Sequence, residues 1–405
     1  MSLPVRARAT VRVEAVAPEG GEGLLVEFLR AYRDAVQCII DEVWGLEKVP
    51  SRRKLHKAFY GKLRKLGFRA RHTSEIYKRA REVVKAVKES NGSKPVLRKL
   101  TARISTYDYR VDFNTGTLRV AVLNNHWVEL RLKLHKHLGR YLDSSWRLGE
   151  VQVSYGGGRV YVYLTFNREV ELKEPKAIMG VVINFNNVTY TIVGLDGSLV
   201  SMGVIPFRGL GRALRLKKLS EELQRRHPRS WRFLRWVRRV RSRWLRRASS
   251  ILVDSSHYIA KRLVKVAGEY GAAIVLGDLE KLKKNKKKSA RLSWESHLWC
   301  YRRVQACTEY KALLKGVRVV YVDPRGTSKE WPNGKPLVFI NYRYVELGGT
   351  TTTRDVVASW NLALRGLKQM RGSRVKWSPD SLRDEAMKPR AKRGNPEATT
   401  VFTSN

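Results

Sequence analysis

The stretch from Ala177 to Val193, AIMGVVINFNNVTYTIV, constrains this chain more than any other. Ile178 to Ile183 is a short apolar run rich in β-branched residues, bounded by Pro175 before it and by Asn184, Asn186 and Asn187 after it. Such a run between turn formers reads as a buried strand, and the asparagines then reverse the chain into a partner strand at Val188–Val193. Similar strands are expected near positions 272–276 and 317–322.

The remainder of the chain sorts around this hairpin. Val5–Val16 alternates as a strand should, and three helical segments follow at about 23–46, 51–66 and 72–89, each with apolar residues three and four apart. Asn91-Gly92-Ser93-Lys94-Pro95 closes that block. Strands are then expected at Leu118–Leu123, Trp127–Leu134, Glu150–Tyr155 and Val160–Phe166, separated by turns such as Gly156-Gly157-Gly158. Strand, helical insertion and returning strands suggest a small β-barrel interrupted by a helical lobe.

After the central hairpin, 206–267 reads as mostly helix and is dense in arginine. Arg232, Arg235, Arg239, Arg243 and Arg246 recur at three- and four-residue steps and are expected to share one face, with Phe233, Val237, Val240 and Trp244 on another. Trp231, Trp236 and Trp244 interleave with the arginines, as planes for stacking or as packing. Lys281, Lys283 and Lys284 belong to a lysine run read as a loop. A helix from about Trp294 to Lys315 follows, and past Gly372 the sequence loses periodicity and reads as a disordered tail.

The charge decides between partner classes. With 81 Lys and Arg against 36 Asp and Glu, the 405-residue chain carries a formal +45 spread along its length. Such a field attracts polyanions, with nucleic acid first among them. No run approaches 18 apolar residues, so the expectation is an intracellular protein, cytoplasmic and nucleoid-associated, with no membrane partner. Cys38, Cys300 and Cys307 form no CxxC pair and indicate neither a disulfide framework nor a zinc site.

Four strings give a resemblance. Gly180-Val181-Val182-Ile183-Asn184 with its hairpin partner, Ile274-Val275-Leu276-Gly277-Asp278-Leu279, Thr327-Ser328, and Arg354-Asp355-Val356-Val357-Ala358 with Asn361 resemble, in order and spacing, the TnpB (OrfB) family, transposon-encoded and related to type V CRISPR effectors. The resemblance implies an α/β fold: an RNase H-like RuvC domain with a helical insertion, preceded by an OB-like β-barrel wedge interrupted by a helical recognition lobe. The corresponding divisions are 1–20 with 98–174 for the wedge, 21–97 for the lobe and 175–370 for the RuvC-like domain. Within the last lie the insertion 206–267 and a degenerate zinc-ribbon segment 326–353, and 371–405 is the tail. It also implies a guide RNA and a double-stranded DNA target bearing a short flanking motif.

The departures from the family pattern bear on chemistry. Val182 and Gly277 stand where the family carries catalytic carboxylates, and Asp355 matches the third. Two-ion phosphodiester cleavage needs convergent carboxylates to hold Mg²⁺, and valine and glycine offer no ligand atom. Asp278 follows Gly277 but points to the opposite strand face. Asp355 itself reads either as a vestigial ligand or as the N-cap of a helix at Val356–Leu367. Thr327 to Asp355 contains no cysteine, and Trp331-Pro332-Asn333-Gly334 occupies the place of the first ribbon CxxC, so the zinc site is read as lost. The expectation is an RNA-guided DNA-binding protein of the TnpB type that has lost nuclease activity and occludes or represses its target. The alternatives are a transposon-associated, RNA-guided, Mg-dependent DNA endonuclease or a transposase with residual activity, a general RNA- or DNA-binding scaffold, or a decaying relic with no present role.

Overall fold

The computed structural model describes residues 4–278, 300–347 and 350–371. These residues divide into two compact units, one of Arg6–Glu169 and one formed by those from Val170 onward together with Pro4 and Val5.

The first unit joins three helices to a seven-stranded sheet. Its elements are β1 (Val5–Val16), α1 (Gly21–Val43), α2 (Arg52–Lys65), α3 (Ala70–Glu89), β2 (Leu100–Ile104), β3 (Tyr109–Asp112), β4 (Thr117–Ala121), β5 (Trp127–Leu132), β6 (Arg147–Gly156) and β7 (Arg159–Val170). The sheet runs β2-β6-β7-β1-β5-β4-β3. It curls: the Tyr109 hydroxyl on β3 donates to the Gly149 carbonyl on β6 at 2.6 Å, bringing nearly opposite ends of the sheet together. Leu25, Phe28, Leu29, Tyr32, Val36, Ile39 and Ile40 form the buried stripe of α1 at helical spacing and join β-strand valines and leucines in one core. Each such side chain contributes about 1.5–3 kcal/mol by leaving water. The Ser51 hydroxyl caps α2 by accepting from the Lys54 amide.

Two strands here, β2 and β3, were not expected from the sequence. Each has only four or five residues, with polar or charged positions on its open side, so neither shows a long alternating pattern.

The second unit is three-layered. Its sheet holds β8 (Ala177–Ile183), β9 (Asn187–Gly194), β10 (Leu199–Pro206), β11 (Ala272–Gly277) and β12 (Val319–Val322) in the order β10-β9-β8-β11-β12. β8, β9 and β10 form an antiparallel meander, whereas β11 pairs parallel to both β8 and β12. Parallel pairing requires crossovers. The chain from β10 reaches β11 through α4 (Leu210–Arg226) and α5 (Arg235–Glu269), and α6 (Tyr301–Leu314) precedes β12.

Alternation along β8 divides the core. Met179, Val181 and Ile183 face the layer containing Ile259, Leu263 and Val304, whereas Ile178 and Val182 face α7 (Arg354–Arg371), with Trp360, Leu362 and Ala363. Gly180 lies on the α7 side. A Cβ there would collide with the Ser359 carbonyl oxygen and stand 2.5 Å from the Ala363 amide nitrogen, so glycine permits the close approach of helix to strand.

The segment before α7 forms a small antiparallel sheet of β13 (Val338–Phe339), β14 (Tyr344–Leu347) and β15 (Thr350–Thr353). Trp331, Leu337 and Val345 bury against Val357 of α7 beneath it.

Candidate functional site

The geometry of β8 and β11 sets the site. Val182 is the penultimate residue of β8 and Gly277 the last of β11; in the parallel pairing the two strands end side by side. Val275 joins the core facing α7, and by the two-residue period Gly277 shares that face. Asp355, in the first turn of α7, completes the group. Val182, Gly277 and Asp355 line one cleft of about 650 Å³, along with Asn184, Asn186, Gln305, Pro324, Ser328, Tyr342, Arg343 and Arg354.

Asp355 is half-buried, and burial raises its carboxyl above the ordinary range, opposed by the charges of Arg343 and Arg354 and by a hydrogen bond with Asn184. The capping alternative for Asp355 does not hold. α7 already includes Arg354 and Asp355, and the Thr353 hydroxyl accepts the Val356 amide at 3.4 Å. Asp355 instead lines the cleft.

Asp278 follows the alternation of Ile274 and Leu276 toward the α6 layer. There its charge, with that of Glu309 and after the larger effect of burial, helps push the Tyr321 hydroxyl up to about 12. At Gly277 the backbone carbonyl accepts a hydrogen bond from Gln305 Nε2 at 2.8 Å, and an added Cβ would stand 3.1 Å from Pro324 Cβ. The place a longer side chain would take is crowded.

These residues do not fit a two-ion centre. Among the described residues the cleft offers one carboxylate, two guanidiniums and neutral amides and hydroxyls, and no group of three or more His, Cys, Asp or Glu suited to a metal occurs. The 326–353 segment does not fit zinc either, since its interior is filled by Trp331, 3% exposed, with Leu337 and Val345.

All five arginines singled out from the sequence are exposed. Arg235, Arg239, Arg243 and Arg246 follow one another on α5 at steps of four, four and three; Arg232 lies in the turn before it. The expected apolar face needs correction: Val237 is buried, but Phe233 precedes the helix and is 83% exposed. Trp236 is also open to solvent, and the Arg241 guanidinium lies 4.5 Å from the Trp231 ring centroid. Lys281, Lys283 and Lys284 lie outside the described residues, as do the tail from 372 and the first part of the helix expected from Trp294.

One cationic group escaped the sequence reading. The guanidiniums of Arg69, Arg110 and Arg119 lie 5.4, 5.6 and 5.9 Å from the Trp127 ring centroid, and Arg110 faces Arg119 directly across β3 and β4. Its trace in sequence is one arginine in each of β3 and β4 and one just before α3, which does not reveal which strands pair.

Comparisons with known proteins agree with this fold. Residues 301–362 match the model of the Cas12f1-like TNB domain. The chain is 25% identical over 240 residues to a TnpB-like protein of Methanocaldococcus jannaschii, covering 56% of this chain and 81% of that one. It is 30% identical over 95 residues to the CRISPR-associated endodeoxyribonuclease Cas12f2 of a Micrarchaeota archaeon, covering 23% of this chain but only 18% of that protein. The fold matches the cryo-EM structure of a Cas12f1–sgRNA–target DNA complex with a TM-score of 0.65 at 10% identity, over 89% of this chain and 99% of that one. No helix among the described residues is long and apolar enough to cross a membrane. In domain match, relative and fold alike, the chain is similar to members of the TnpB and type V effector family.

Proposed function

We propose that this protein binds a guide RNA, uses it to hold a double-stranded DNA target next to a short flanking motif, and does not cut that target. The observation that carries the reading is the cleft where Val182, Gly277 and Asp355 meet with a single carboxylate between them. The M. jannaschii relative is named TnpB-like, and the matched Cas12f1 structure contains an sgRNA and target DNA, which supports the choice of partners. The strand order β10-β9-β8-β11-β12, an antiparallel meander continued by two parallel strands, supports an RNase H-like RuvC domain over 175–370. The curled sheet and the three helices of the first unit support an OB-like wedge with a recognition lobe.

Cleavage assisted by two ions needs ligands that valine and glycine lack. At 1.36 kcal/mol per tenfold, losing several kcal/mol of metal assistance slows cutting by roughly a thousandfold or more. What remains is occupancy, and a bound complex of this size covers a promoter or another site and represses it. The exposed arginines of α5 and the cluster at Trp127 supply phosphate contacts without sequence preference, while base pairing supplies specificity.

Purification from the source organism followed by sequencing of the bound RNA tests the reading. A discrete RNA species is expected, together with guide-dependent retention of a matching duplex and no cleavage in Mg²⁺. Absence of a discrete RNA refutes guided binding, and cleavage abolished by Asp355→Ala refutes the inactive state.

A further inference from the structure

The same cleft has a property that loss of catalysis does not by itself produce. Among the described residues its charged side chains are Arg343, Arg354 and Asp355, two guanidiniums against one carboxylate. A pocket of three carboxylates repels a phosphodiester until cations neutralise it; this pocket attracts one unaided. The arginines are placed rather than merely nearby. Arg354 Nη2 donates to the Ser328 hydroxyl at 3.1 Å, and the Arg354 amide donates to the Arg343 carbonyl at 2.9 Å, tying the β13–β14 connection to the start of α7. Both arginines line the cleft together with Asp355.

The mouth carries an aromatic ring. Tyr342 lines the cleft and is 87% exposed, with the Arg354 guanidinium 5.6 Å from its ring centroid. A ring so open has a face free for a nucleobase, and base–aromatic stacking contributes about 1–3 kcal/mol. A base is available for stacking only where it is unpaired.

We propose that the cleft is a metal-independent site for a single-stranded nucleic acid, its phosphodiester on Arg343 and Arg354 and a base on Tyr342. Arginine meets phosphate through paired N–H donors, a geometry that takes over the role of bridging ions without their ligands. The proposal takes from the functional reading only that the chain engages nucleic acid. It does not require a guide.

The test is photocrosslinking of the full chain to oligonucleotides of about twelve nucleotides carrying bromodeoxyuridine or bromouridine, in EDTA and in Mg²⁺, with the labelled peptide mapped. The expected product is a crosslink at Tyr342 of equal yield in both buffers, cut about tenfold by Arg343→Gln. Labelling by the deoxy or the ribo probe upholds the site and names its source. Val182→Asp adds a carboxylate and is expected to lower the EDTA yield and make it Mg²⁺-responsive. A native yield that collapses in EDTA overturns the proposal, as does a crosslink map that omits Tyr342 or an Arg343→Gln yield equal to native. Arg343 is exposed, so its variant retains the fold, verified by an unchanged melt. If no discrete RNA co-purifies, guided binding fails while this result stands on its own.

Discussion

Gly180 and Ser359 lie so close that the strand–helix contact has no room for a methyl group. The contact fixes how far α7 sits from β8, and thereby where Asp355 stands relative to Val182. Gly180→Ala is expected to destabilise the second unit by about 1–3 kcal/mol, measured by denaturant unfolding. An unchanged midpoint would show that the helix yields freely.

Restoring the missing carboxylates requires more than two substitutions. Val182→Asp with Gly277→Glu supplies the ligand atoms, but the new Cβ at 277 meets Pro324 at 3.1 Å. Guided cleavage in Mg²⁺ is expected to be weak in the double variant and several-fold stronger with Pro324→Ala added. Equal rates would remove Pro324 from the account.

The 326–353 segment folds around an indole. Strong chelators are therefore expected to leave its melting temperature and Trp331 emission unchanged, whereas Trp331→Ala costs about 3–5 kcal/mol through the cavity it opens beside Val345 and Val357. A melting temperature lowered by chelation would contradict this.

Asp355 titrates with a definite sign. Burial raises its carboxyl in the folded state, so the folded chain holds the proton more tightly than the unfolded one. Stability from this group is present below the ordinary carboxylate range and is lost as pH rises through the raised value. Asp355→Asn is expected to flatten that decline and to exceed the native chain in stability at neutral pH, in urea titrations across pH.

Replacing Arg235, Arg239, Arg243 and Arg246 together by glutamine is expected to flatten the salt dependence of nucleic-acid affinity. The change in log–log slope is about 3–4 if each meets one phosphate of duplex. An unaltered slope would assign α5's exposed edge to solvent.

Much of this was legible in sequence because periodicity survives in buried elements. β1 matched its expected bounds, α1–α3 matched to within three residues, and the β8–β9 hairpin announced itself through apolar strands around an asparagine turn. The gathering of positions 182, 277 and 355 followed from family spacing, not periodicity. What sequence did not show depends on partners distant along the chain. Phe233 has helical spacing with Val237, yet the helix begins two residues after it. The Trp127 cluster needs β3 and β4 to pair, and Pro324 reaches Gly277 only because β11 and β12 run side by side. Asp355 carries a common capping residue type beside Thr353, which does the capping instead.

β1 is synthesised before the other strands of its sheet but occupies the middle of it, between β5 and β7. Those neighbours are synthesised more than a hundred residues later, several seconds at roughly 5–20 residues per second. During that interval the nascent chain carries an unpaired strand with alternate apolar side chains, a substrate for chaperones and for wrong partners. Biogenesis of this protein is thus gated by the completion of β7, and truncations that stop short of it are expected to aggregate rather than to yield a smaller folded piece.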